Sequence, residues 1–220
     1  MGTRDTVLHA VRAALGGGER REPQAIAAEA ETLLRAPELI RPRLPNIGLV
    51  ELFAERVLSS KVSATLERVA ALGELPGAVQ RYAAAQDLPP AIALQPATEL
   101  LRLDWGGIEI RKTITPNEAV GVGLAQWAIA ETGSLVFHSG PDMPILFNFL
   151  PLHHIVAVKA GAIVAYLENY AAAAASAGPA PRNVNLITGI SGTTDIEGSY
   201  VRGAHGPRFL HVVLVEEPPA

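Results

Sequence analysis

The chain has 220 residues, 49% of them hydrophobic and 18% charged, enough apolar material to bury a domain-sized core and too little polarity for overall disorder. Its formal charge of -4 leaves no basic face for nucleic acid. With no cysteine, it has no disulfide, no thiolate nucleophile, no cysteine-ligated zinc, no iron–sulfur cluster of its own and no cofactor bound through cysteine.

Val7, Leu8, Val11 and Leu15 recur at helical spacing and predict a first helix, which Gly16-Gly17-Gly18 ends. A second short helix is expected over Ile26 to Leu34, and the prolines and glycine between Ala36 and Gly48 forbid regular structure for long. Residues 1–48 therefore read as an N-terminal helical arm that packs on the domain or on a second subunit, and residues 49–217 as an α/β domain. Arg4, Asp5, His9 and Arg12 break up the first apolar positions, so no signal-peptide core is present. Lys159, Glu168 and the His153-His154 pair interrupt the apolar stretch between Ile145 and Ala175, so no membrane span is expected and the chain reads as cytoplasmic.

Apolar positions Leu52, Phe53, Val57, Leu58, Val62, Leu66 and Val69 recur every three or four residues and predict one long amphipathic helix from Leu49 to Leu72. Another helix is expected over Pro76 to Gln86, followed by a short buried strand, Ala91 to Leu94. The second half then changes to strand-length apolar runs: Val120 to Leu124, Ser134 to His138, Ile155 to Val158, Val184 to Ile190 and Phe209 to Val215. Helices are expected near Pro144 to Phe149 and over Ile163 to Tyr170, the latter extended by Ala171 to Ala175. Strands interleaved with helices indicate βαβ units and a mostly parallel sheet covered on both faces.

Two nucleotide or nucleophile motifs begin and fail. Gly121-Val122-Gly123-Leu124-Ala125-Gln126 has glutamine where a dinucleotide fingerprint needs its third glycine. Gly189-Ile190-Ser191-Gly192-Thr193 has threonine where a nucleophile elbow needs its last glycine.

Three constellations at the ends of apolar runs survive. The loop Ser191, Gly192, Thr193, Thr194, Asp195 to Glu197 offers hydroxyls and backbone amides for a small anionic ligand, or else Thr194 or Asp195 caps a short helical turn. Glu131, in the turn with Thr132, Gly133 and Ser134, is a candidate general base or nucleophile, or it accepts hydrogen bonds from its own turn. His205, flanked by Gly203, Gly206 and Pro207, is the second catalytic candidate. His153 and His154 open a strand and point to opposite faces, one packed on the sheet and one toward the site, and His211 reads as a core residue. No chelating pair at helix spacing is present, so no metal is assigned; a site from His205, Asp195, Glu197 and a doublet histidine would need ligands converging from separate loops.

Ala130-Glu131-Thr132-Gly133-Ser134-Leu135-Val136, Leu150-Pro151-Leu152-His153-His154-Ile155, Gly192-Thr193-Thr194-Asp195-Ile196-Glu197 and Gly203-Ala204-His205-Gly206-Pro207 resemble, in order and spacing, the LUD domain of the lactate-utilisation protein C family. The resemblance is clear over the C-terminal half and looser over residues 49–128. It implies a three-layer α/β fold similar to the sugar-phosphate isomerase and CoA-transferase superfamily. It also implies a part in oxidising L-lactate to pyruvate beside iron–sulfur lactate-utilisation proteins, this chain being the subunit without a cluster. Where the family loop carries a proline and an arginine, this chain has Gly189-Ile190-Ser191-Gly192-Thr193. The alternative function is a stand-alone enzyme of that superfamily acting on a phosphorylated, folate or CoA-thioester ligand through Glu131 or His205.

Overall fold

A computed structural model of the chain describes residues 2–15, 21–35, 41–116, 118–194 and 200–217. The chain divides into two units, Met1–Leu44 and Pro45–Ala220. The first holds helices α1 (Thr3–Ala14) and α2 (Pro23–Leu34). Pro23 opens α2, where a missing N–H costs nothing and the fixed φ suits the first turn.

The second unit is built on a six-stranded sheet. Its strands are β1 (Thr65–Val69), β2 (Ala91–Leu94), β3 (Glu109–Arg111), β4 (Val120–Leu124), β7 (His153–Lys159) and β12 (Phe209–Val215). The order is β1-β12-β7-β4-β2-β3, and every neighbouring pair runs parallel. On one face Ile92, Leu94, Val120, Val122, Ile155, Ala157, Val213 and Val215 form one apolar cluster. It is completed by Leu75, Ala78 and Val79 of α4 (Leu75–Ala85), Leu100 of α5 (Thr98–Leu101), and Trp105. Because both faces are covered, β7 and β12 are buried along nearly their whole length and carry the continuous apolar runs Ile155 to Val158 and Val212 to Val215.

The opposite face meets a second sheet of order β8-β5-β6-β9, made of β5 (Trp127–Ile129), β6 (Ser134–His138), β8 (Ile163–Val164) and β9 (Val184–Ile187). Glycines on β4 permit close packing on that strand: a Cβ on Gly121 would lie 2.8 Å from Pro151 Cγ, and one on Gly123 would lie 3.0 Å from Gln95 Oε1. Helices α3 (Leu49–Leu58) and α6 (Leu167–Ser176) and a hairpin of β10 (Gly192–Thr194) with β11 (Tyr200–Arg202) complete the unit. The three-layer α/β architecture with a mostly parallel sheet is thus present. Among the described residues no helix is long and apolar enough to cross a membrane.

Several details differ from the sequence reading. The helix expected from Leu49 to Leu72 stops at Leu58, and Thr65–Val69 becomes β1. Ser63, with φ of 55°, turns the chain between them. The gain is backbone pairing: β1 covers the edge of β12, whose polar groups would otherwise be unpaired beside the core. Likewise, Ile163 and Val164 pair with β5 as a strand, and the helix starts only at Leu167. Finally, Gly192 to Thr194, read as part of a loop, form β10 and pair with β11. Gly16 to Gly18, Asp195 and Glu197 lie outside the described residues.

Candidate functional site

The turn from Glu131 to Ser134 joins β5 to β6. Gly133 takes φ of 74° and packs on α3, where a Cβ would come 2.9 Å from Arg56 Cβ, so this glycine serves the turn. Glu131 donates its N–H to Ala165 O at 3.0 Å and is half-buried. The hydroxyls form a chain: Thr132 Oγ1 lies 2.6 Å from Ser134 Oγ, which lies 2.5 Å from Thr188 Oγ1 just past β9. Thus the turn is tied to the strand that leads into the Ser191 loop.

That loop and the His205 loop meet. Ser191 N–H donates to Pro207 O at 2.8 Å, and Gly203 N–H donates to Ser191 O at 2.9 Å, bracketing His205 between two fixed points. Gly206 allows the contact, since a Cβ there would lie 3.1 Å from Ser191 Cβ. On the other side Gly189, at φ of 96°, lets the chain pass Val62; a Cβ would fall 2.3 Å from the Val62 carbonyl oxygen. Together these loops wall a cavity of about 210 Å³. Its polar lining is Asn148, Thr188, Ser191 and His205, with Phe149 and Ile190 among the apolar walls. Glu131, Thr132, Ser134 and His153 do not line it.

The cavity lies at the amino ends of the parallel strands, since Gly203 to Pro207 lead into β12 and Asn148 precedes β7. An adjoining hollow of about 410 Å³ shares Phe149, His205 and Gly206 with it.

The buried histidines sit at the same end of the sheet. His153 places Nδ1 3.0 Å from Tyr82 Oη and stacks on Phe209. His211 stacks on Tyr82 and places Nδ1 2.7 Å from Thr65 Oγ1. Burial lowers the pKa of His153 and pushes that of His211 down to about 4, against the attraction of Glu67. His154 points to the other face and stacks on Phe137; both its ring nitrogens are buried and unpartnered among the described residues, and burial pushes its pKa to about 4. The doublet therefore separates as strand alternation requires, and both rings are core groups. Among the described residues no group of three His, Asp or Glu could hold a metal ion.

A larger cavity, about 460 Å³, opens at the opposite end, where β2, β4 and β7 finish. β2 leads out to β3 on one side and β4 leads toward β7 on the other, and such a divergence of neighbouring strands leaves a crevice at their carboxyl ends. Several of its polar side chains are bonded within the protein. Gln95 accepts from Leu124 N–H at 2.7 Å and donates to Asp142 O at 2.9 Å. Gln126 accepts from His138 N–H, and Lys159 donates to Glu99 at 2.6 Å. Neither Gln95 nor Asn148 belongs to a sequence motif; Gln95 could be found as a lone amide beside an apolar run at a strand end.

A family profile described as the LUD domain matches residues 49–215. Lactate utilization protein C of Geobacillus kaustophilus is 29% identical over 167 residues, covering 66% of this chain and 70% of that protein. The protein of the same name from Bacillus subtilis is 30% identical over 118 residues, covering 52% of this chain and 48% of that one. Several other relatives are likewise spanned over about half their length. A crystal structure of a DUF162 family protein from Deinococcus radiodurans superposes with a TM-score of 0.54 at 19% identity, covering 79% of this chain and 99% of that chain, a likeness of fold.

Proposed function

Because this chain belongs to the LUD domain family, we propose that it serves lactate utilisation, supporting the oxidation of L-lactate to pyruvate in the cytoplasm beside iron–sulfur partner proteins. The observation that carries this reading is the match of the profile over residues 49–215 together with relatives named for lactate utilisation. Oxidation of L-lactate to pyruvate releases two electrons and two protons, and a chain without cysteine has no thiolate to hold a cluster that would accept them. On this reading the electrons pass to clusters in the partner chains, and this chain contributes binding, orientation or assembly.

The cavity at the amino ends of the strands supports a small ligand better than a phosphorylated one. Its lining among the described residues contains no Lys or Arg, the groups that phosphate recognition draws on. Deleting the gene in a host with no other lactate oxidase should abolish growth on L-lactate as sole carbon source. Unimpaired growth of the deletion strain would remove the proposal.

A further inference from the structure

We propose that strand β9 (Val184–Ile187) is the pairing edge for a second copy of this chain, joined antiparallel about a twofold axis at Asn185 so that the two four-stranded sheets become one.

The edge of a sheet presents unpaired backbone groups, and native proteins blunt it with charge, proline, shortness or cover. Among the described residues the two larger sheets end in β1, β3, β8 and β9. β1 carries Glu67 and Arg68, engaged with Arg81, Glu51 and Glu216. β3 carries Glu109 and Arg111, which pair with each other. β8 has two residues. β9, Val184-Asn185-Leu186-Ile187, has neither charge nor proline, and its Val184 and Leu186 side chains are 40% and 43% exposed.

The hydrogen bonds fix which of its groups face outward. β9 pairs with β6 alone, Asn185 lying opposite Phe137 and Ile187 opposite Leu135. Just before the strand Ser139 N–H donates to Asn183 O at 3.0 Å, so by antiparallel alternation Asn185 and Ile187 are the residues bonded to β6. The N–H and C=O of Val184 and Leu186 therefore point away from the sheet, without a partner among the described residues. Their side chains share a face with Val136, which lies opposite Leu186 and is buried with Ile129 and Tyr170. Free backbone groups and exposed aliphatic side chains thus occur at the same two positions.

Those positions are symmetric about Asn185, and this selects the occupant. In an antiparallel pair centred there, Val184 meets the partner's Leu186 and Leu186 meets the partner's Val184, each couple exchanging N–H and C=O. The aliphatic side chains of both copies then lie together on one face, the cross-strand contact that stabilises sheets. A strand added here needs an apolar residue at every second position, a pattern that β9 itself supplies. Without a charge on β9, two copies meet free of like-charge repulsion along the strand. Leu186 and Phe149 both line the cavity of about 210 Å³, so the junction runs along the rim of that hollow.

Sedimentation velocity of the full chain over about a hundredfold range of concentration tests this. The sedimenting species should pass from monomer to dimer as concentration rises. Leu186→Lys, which sets a charge against the partner's Val184, should weaken association about tenfold or more. Val184→Pro removes an N–H that the monomer leaves unbonded, at the first residue of an edge strand where proline is tolerated. It should weaken association similarly while circular dichroism shows the fold intact. In the unaltered chain the amide hydrogens of Val184 and Leu186 should exchange more slowly at high concentration than at low, a result that stands whatever either variant does to the fold. A monomer at every concentration, or amides whose exchange ignores concentration, would overturn the proposal. So would a dimer that keeps its affinity in either folded variant; one lost to Leu186→Lys but kept in Val184→Pro is a side-chain contact without strand pairing.

Discussion

The two ends of the parallel sheet carry cavities of opposite character. At the carboxyl ends of β2, β4 and β7 the hollow is larger, yet Gln95, Gln126 and Lys159 are each bonded within its walls. At the amino ends of β7 and β12 the hollow is smaller, and its buried amide has no bonds among the described residues. Size and position on an open α/β sheet favour the first. Its bonded side chains stiffen the hollow, whereas the buried amide behind the second costs the fold its hydration without a bond in return.

Acid should separate the two ends most strongly. His154 and His211 are buried near the amino end with pKa values pushed to about 4, below the ordinary 6.5 of the unfolded chain. Their neutral forms are favoured by folding, so their contribution is complete above pH 6.5 and is lost as pH falls toward 4. The groups beside them are Tyr82, Thr65 and Glu67 for His211, and Phe137 for His154. The loss should reach roughly 3 kcal/mol for each histidine, read as the urea midpoint between pH 8 and pH 4. Hydrogen exchange that weakened first at the carboxyl ends would break the comparison.

Substituting the two amides sharpens it further. Gln95→Leu removes the acceptor of the Leu124 N–H and the donor to Asp142 O, leaving the buried Leu124 N–H unpaired at a cost of about 2 kcal/mol in denaturant unfolding. Asn148→Leu removes an amide that was unpaired already, and it should be neutral or stabilising by about 1 kcal/mol in the same measurement. If both variants lose the same stability, the distinction between paired and unpaired walls fails.

Much of the framework is legible from residue pattern. The runs at Ala91 to Leu94, Val120 to Leu124, Ser134 to His138 and Phe209 to Val215 are strands with the expected bounds, because a sheet covered on both faces needs uninterrupted apolar residues. Two strands of the second sheet are hidden. Trp127–Ile129 and Ile163–Val164 are too short for a period to show, and the latter merges with a helical tract. The misread helix after Leu58 has a related cause: Val62, Leu66 and Val69 keep a helix-like spacing, and only pairing with β12 makes an edge strand of Thr65–Val69. At the site, glycines and hydroxyls flanking apolar runs locate Ser191 and His205, which the backbone does bring together. Asn148 carries no such mark, because one amide in Ile145-Leu146-Phe147-Asn148-Phe149 looks like surface until burial is known. His153 lies under Tyr82 and Phe209 because β7 enters the sheet two residues earlier than its aliphatic run begins.

The bracket that holds His205 has a kinetic consequence. With Ser191 bonded to both Gly203 and Pro207, and Arg208 and Phe209 N–H bonded to Leu152 O, the wall of the cavity is ordered before any molecule arrives. A guest then loses its own freedom but orders little of the protein, so capture proceeds in one observable phase whose rate rises linearly with guest concentration and reaches no plateau from a slow rearrangement.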